Sequence, residues 1–287
     1  MSIRCILVPV RGDGKGEGVL DHALAFGRRF NAHIDAVHCR PRPEDLLPFG
    51  VFVPNMLRKS IISSAGTLAD EEEQRLKALF DEYCQRHDLP VVDERPWPED
   101  GISVSWREKT GKQAEIVGLH GRLADVIAIA QPDYERGIGL NTLEAALLET
   151  GKLVLMCPPN AVQRVGTHVA LAWNASAEGA RAVTAALPIL KAADTVTILS
   201  VSDDSEVALG PQDLRDHLAS HRIEARIERK TAKATAVGDS LLGTAASVSA
   251  DLLLMGAYGQ SRRRELVLGG VTQHVIDHAE MPVLLMH

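Results

Sequence analysis

The segment IRCILVPVRGDGKGEGVLDHALAFGRRFNAHIDAVHC (3–39) and the segment THVALAWNASAEGARAVTAALPILKAADTVTILSV (167–201) are built from the same pieces in the same order. Each has an apolar strand, a small-residue turn, an amphipathic helix and a second apolar strand. RLADVIAIA (122–130) and VSADLLLMG (248–256) form a second matching pair, each passing through Ala-Asp into a buried strand. NTLEAALLETGKLVLMC (141–157) and VTQHVIDHAEMPVLLMH (271–287) form a third, each a helix, a short break and a last apolar strand. Because the order of the pieces is kept, the chain reads as a duplication of a unit of about 140 residues.

Short apolar runs alternate with helical patterns in both units, which implies crossover connections and a parallel sheet covered on both faces. In the second unit, strands are expected near 167–173, 194–201, 222–229, 251–256 and 282–286. Helices are expected near 177–191, 211–221, 237–249 and 270–279. The first unit follows the same plan but carries an insertion: a proline-rich stretch, PRPEDLLPFGVFVP, and then a long polar helix near 60–87. CPPNAVQRVG (157–166) divides the units, so we expect domains at 1–160 and 161–287. Strands KLVLMC (152–157) and PVLLMH (282–287) end the two units. Two superposable domains with separate sheets are expected, packed as a pseudo-dimer within the chain.

Aromatic residues make up only 4% of the 287, so the core must rest on Leu, Val, Ile and Ala. A net charge of −7 argues against a general nucleic-acid binder, which needs a basic face. No apolar run approaches the ~20 residues of a membrane span, and the opening MSIRCILVPV reads as a first strand rather than a signal peptide. Cys5, Cys39, Cys84 and Cys157 form no CxxC pair. They read as reduced core thiols of a cytoplasmic protein.

The chemistry concentrates in MGAYGQSRRRELVLGGVTQHVI (255–276). It leaves the carboxyl end of a strand, where open parallel sheets bind their ligands. Gly256 and Gly259 let a ligand approach the backbone, and Gly269 and Gly270 open the next helix, whose first N–H groups attract anions. The residues alone leave two readings open, a phosphate cradle or a turn from strand to helix. The spacing G-x-x-G, nine residues, G at Gly256, Gly259 and Gly269 resembles the nucleotide loop of the universal stress protein family. ADLLLMGAYG, HAEMPVLLMH and LAWNASAEGARAVTAALPIL resemble its fourth, last and first strand regions.

That resemblance covers nearly all of the second unit and, more loosely, the first. It implies two Rossmann-like (adenine nucleotide alpha hydrolase-like) α/β domains, each a five-stranded parallel sheet sandwiched by helices. The last strands would pair antiparallel, and a homodimer is a further implied assembly. It also implies a stress-related regulatory protein that holds ATP (or ADP or AMP), with Mg2+ as a companion. By position the contacts would be Ala172, Asn174, Val201, Met255, Gly256, Gly259, Gly269, Gly270, Val271 and Thr272. Two residues depart from the family pattern: Asn174 stands where an Asp is usual, and Gly270 where a Ser or Thr is usual. Thr272 supplies a hydroxyl two residues on. Arg262, Arg263 and Arg264 are candidates for phosphate contacts or for a solvated loop.

The first unit lacks this loop. Ala130 and Asp133 replace two of its glycines, Pro132 and Glu135 add bulk and charge, and Arg11 stands where the family has Asp. We expect one nucleotide per chain, in the second unit. RGDGKGEG (11–18) has neither the P-loop register nor a complete GxGxxG, since Glu17 takes the third glycine's place; it reads as a turn with Arg11 and Lys15 available to an anion. No GxSxG or HExxH is present. His274 and His278 could share a helix face, and His287 reads as a frayed end. A binding module, a weak ATPase or self-phosphorylating enzyme, and an interaction module without nucleotide remain the three classes.

Overall fold

A computed structural model describes residues 2–42, 55–133, 136–202, 209–258 and 270–287. The first half contains β1 (Cys5–Val10), α1 (Gly16–Gly27), β2 (His33–Arg40), α2 (Asn55–Arg86), β3 (Ser103–Thr110), α3 (Gln113–His120), β4 (Val126–Ala130), α4 (Leu140–Glu149) and β5 (Leu153–Cys157). The second half repeats the plan with β6 (His168–Ala172), α5 (Ala177–Ala192), β7 (Thr195–Ser202), α6 (Pro211–Ser220), β8 (Arg226–Thr231), α7 (Val237–Ser247), β9 (Leu252–Gly256), α8 (Val271–His278) and β10 (Val283–Met286).

The strands lie in the order β3-β2-β1-β4-β5-β10-β9-β6-β7-β8. Each half therefore has a five-stranded parallel sheet whose strand order reverses beside its first strand. β5 and β10 pair antiparallel, with Met156 opposite Val283 and Val154 opposite Leu285. The expectation of separate sheets fails for this reason: two edge strands that share a hydrogen-bonded register make one sheet, here of ten strands. The pairing removes two open edges. Val154, Leu155, Met156, Val283, Leu284 and Leu285 are all fully buried, and each such side chain contributes roughly 1.5–3 kcal/mol. The junction is thus part of the core.

Buried residues of α1, α2, α5 and α6 cover one face of the sheet. Those of α3, α4, α7 and α8 cover the other. The repeated Ala-Asp pair has a physical reason. Asp125 Oδ2 accepts the Arg4 and Cys5 N–H groups at 2.8 and 2.9 Å. Asp251 likewise accepts the N–H groups of Gly166, Thr167 and His168 at 2.8–3.1 Å. In each half one carboxylate satisfies the entry of the central strand, where no ladder partner reaches. The four cysteines are free thiols, and burial raises the Cys5 thiol to about 11 and the Cys39 thiol to about 12. Among the described residues no helix is long and apolar enough to cross a membrane.

Candidate functional site

The strand order reverses between β6 and β9, and the candidate residues of the second half gather at the carboxyl ends of these strands. Ala172 ends β6 and Met255 and Gly256 end β9. Val201 lies near the end of β7, opposite Lys230. Ala172, Val201 and Val271 are half-buried against the same apolar cluster that contains Met255. Gly259, Gly269 and Arg262–Arg264 lie outside the described residues.

The turn after β6 is fixed by its own polar groups. Asn174 Oδ1 accepts the Ser176 N–H at 3.1 Å, and Ser176 Oγ accepts the Gly179 N–H at 3.0 Å as the N-cap of α5. Asn174 is itself exposed, and its carboxamide oxygen does the turn-forming work that a carboxylate could also do. The opposite wall is the start of α8. Gly270 is its N-cap and offers no side-chain hydrogen bond to the first turn, whose first N–H groups have no partner within the helix. Thr272 is buried, and its Oγ1 accepts the Tyr258 N–H at 3.4 Å. That hydroxyl ties the chain leaving β9 to the first turn of α8.

Gly256 has a reason beyond ligand approach. A Cβ there would stand 2.5 Å from Gly179 N and 2.6 Å from the Glu178 carbonyl carbon. The first turn of α5 crosses the end of β9 so closely that only glycine fits. His287, expected to fray, is held by a hydrogen bond from its Nδ1 to Ala257 O at 3.0 Å. His274 and His278 stack with ring centroids 4.3 Å apart, and His274 Nε2 lies 2.9 Å from Asp239 Oδ1.

The matching crevice of the first half, between β1 and β4, is narrowed by its own side chains and backbone. Asp133 and Ile138 exchange backbone hydrogen bonds of 2.8 and 2.9 Å, bridging the chain that leaves β4 to the approach of α4. Gly139 follows with φ +94°, and a Cβ on it would approach Pro132 Cα at 3.3 Å. Lys15 does not wait for an anion: its Nζ donates to Gln131 O at 3.3 Å and lies 3.9 Å from Asp133. Beside Arg11, Asp13 and Lys15 the space is about 30 Å³, room for about one water, while a wider opening of about 450 Å³ lies on the far side of Lys15, against Gln131, Asp133, Pro158 and Asp277.

Two polar features escaped the sequence reading. Gln131 Nε2 donates to Ile276 O at 2.7 Å and to Ala279 O at 3.3 Å, across the junction of the halves. At the amino ends of β2 and β3, His33 Nδ1 and Nε2 each lie 2.8 Å from a serine hydroxyl, Ser103 and Ser105. Trp97 stacks on His33 with centroids 3.9 Å apart, and buried Asp35 pairs with Arg107. Burial, reinforced by Arg107 and Arg95, pushes His33 down to about 3. Each ring nitrogen has a hydroxyl, so the cluster is a satisfied core network that keeps the imidazole neutral. Its one sequence signal is the alternating polar pattern in HIDAVHC and SVSWREK, which places these side chains on one face of adjacent strands.

Residues 167–287 match the universal stress protein family. No curated protein matches the chain. Among solved structures, a universal stress protein from Archaeoglobus fulgidus DSM 4304 is 16% identical, covers 99% of this chain and 96% of its own, and superposes with a TM-score of 0.66. A functionally unknown protein from Pseudomonas aeruginosa PAO1 is 17% identical, with 99% and 92% of the two chains covered and a TM-score of 0.54. A protein of Pseudomonas aeruginosa UCBPP-PA14 assigned to the stress protein family is also 17% identical, with 99% and 93% covered and a TM-score of 0.53. Residues 167–287 thus match the universal stress protein family, and the whole chain shares the fold of the Archaeoglobus fulgidus universal stress protein.

Proposed function

We propose that the chain is a stress-related regulatory protein that binds one adenine nucleotide, ATP or its di- or monophosphate, in the crevice of the second half. The observation that carries this reading is the start of α8: a glycine N-cap without side-chain capping, at the strand-order reversal, in a sequence that carries the spaced glycines. Backbone N–H groups at Gly256, Gly259, Gly269 and Gly270 are the proposed phosphate donors. Ala172, Val201, Met255 and Val271 form the apolar wall for the base, and Asn174 and Thr272 are the polar positions at its sides. Among the described residues no group of three or more His, Cys, Asp or Glu could hold a metal, so Mg2+ would arrive coordinated by the phosphates.

We take residues 1–160 and 161–287 as two domains forming a pseudo-dimer through β5 and β10. The first is a partner that has kept the fold and narrowed its crevice. The proposed setting is the cytoplasm, with neither nucleic acid nor membrane as partner and a homodimer as the larger assembly. The output of binding in this reading is a change of shape or partner rather than a product.

Native mass spectrometry of the purified full-length chain tests the reading. An added mass matching an adenine nucleotide, lost in Gly259→Asp, is the expected result. The aspartate adds bulk and a negative charge beside the phosphates. Losing one charge-assisted hydrogen bond, worth about 1.5–3 kcal/mol, weakens binding by roughly ten- to 150-fold. Retention of nucleotide by Gly259→Asp with an unchanged circular dichroism spectrum would reduce the loop to a turn. Steady phosphate release would favour the enzymatic class.

A further inference from the structure

We propose that Gln131, from the first half, is a positioning residue for the anion-binding end of α8 in the second half. This rests on the nucleotide reading above and assigns the first half a part in the second half's site. Gln131 Nε2 reaches Ile276 O in the last turn of α8 and Ala279 O at its C-cap, at 2.7 and 3.3 Å. The last carbonyls of a helix have no partner within it, and here they are satisfied from the other half of the chain.

Gln131 is well placed to act as a fixed mount. Its N–H donates to Cys157 O at 2.8 Å, which ties it to the end of β5, and its carbonyl accepts from Lys15 Nζ at 3.3 Å. It directly follows β4 and lies two residues before Asp133, whose backbone is bridged to Ile138, so the contacts that narrow the first crevice also steady the residue that holds α8. α8 has only eight residues, about 12 Å of helix. A displacement of its last turn therefore passes to Gly270, Val271 and Thr272 at its start. Thr272 in turn holds Tyr258 N–H at the exit of β9, so both walls of the proposed phosphate end depend on where α8 stands.

The clamp has no counterpart in the reverse direction. Ala257 occupies the place of Gln131 in the second half: its N–H donates to Met286 O at 2.7 Å, as that of Gln131 does to Cys157 O. Alanine has no side-chain donor with which to reach α4. The coupling runs from the first half to the second.

The test uses the full chain with Gln131→Leu, which keeps bulk and removes the donors, and Gln131→Lys, which restores a donor to helix carbonyls. ATP affinity by calorimetry and hydrogen exchange of the α8 amides are read on both. Gln131→Leu should weaken ATP by about three- to tenfold and speed exchange in 274–279 and at Tyr258. Gln131→Lys should recover at least half of both changes, which a purely space-filling role would not produce. Parent-like affinity and exchange in Gln131→Leu overturn the proposal. So does equal loss in both variants. A parent chain that binds no ATP overturns the nucleotide reading, and the exchange of α8 then decides the clamp without it.

Discussion

The two halves share a strand order, a layer arrangement and an aspartate anchor beneath the central strand, yet their crevices differ. In the first half Asp133 and Ile138 bridge through their backbones, and about 30 Å³ lies beside Arg11, Asp13 and Lys15. In the second half the sequence after β9 carries the spaced glycines, and α8 starts at a Gly270 N-cap that has no side chain. The fold survives either outcome because its core lies in the strands and helix faces, while the crevice is built by loops beyond the strand ends. Duplication allows one copy to lose a site and take on a supporting role without loss of the scaffold.

The largest expected difference between the halves is in acid. His33 is held near 3 in the folded first half, against about 6.5 when unfolded. Burial also lowers His22. The unfolded chain takes up these protons first, so the stability is complete above pH 6.5 and is lost as the pH falls toward 3. At ~1.4 kcal/mol per unit, His33 alone sets a ceiling of roughly 4–5 kcal/mol. Hydrogen exchange at pH 4 should show β2 and β3 opening before β6 and β7, and His33→Gln should flatten the pH dependence. Simultaneous opening of both halves would remove this asymmetry.

Next in size is the end of the fourth strand of each half. Gly256→Ala forces the first turn of α5 to shift and should lower stability by about 1–3 kcal/mol, measured from the denaturation midpoint. Ala130→Gly, at the matching place in the first half, should lower it by about 0.5–1 kcal/mol through backbone entropy alone. Equal effects would mean that the two strand ends are packed alike.

Much of this contrast was legible in the sequence. The repeat, the helix at Ala177–Ala192, the last strands and the loss of loop glycines at Ala130 and Asp133 all follow from periodicity and residue type. β8 was placed near 222–229 and lies at Arg226–Thr231. RIERKT sits at the sheet's edge and is largely exposed, so it lacks the apolar alternation that marks a strand, and buried Ile223 drew the expectation too early. The need for glycine at 256 was visible; that the close neighbour is α5 was not, since Gly179 is distant in sequence. The same holds for Gln131 and for His33 with Ser103 and Ser105: their partners lie 70 or more residues away, and no local pattern announces such contacts.

Two smaller effects sharpen the site. Thr272→Val removes the acceptor for Tyr258 N–H and should lower stability by about 0.5–1.5 kcal/mol, with faster exchange at Tyr258. Asn174→Asp keeps the acceptor for Ser176 N–H and adds a negative charge near the start of α5, worth a few tenths of a kcal/mol. Combined with Gly270→Ser, it should leave ATP affinity equal to or tighter than the parent's. Weaker binding would mean that the added carboxylate or hydroxymethyl group opposes the nucleotide, against the places assigned to Asn174 and Gly270.

Calorimetric titration of the full-length chain with ATP tests the asymmetry of the two crevices most directly. The account predicts saturation near one nucleotide per chain, with that site lost in Gly259→Asp. Two equivalent sites, or one site that survives Gly259→Asp undiminished, would contradict it.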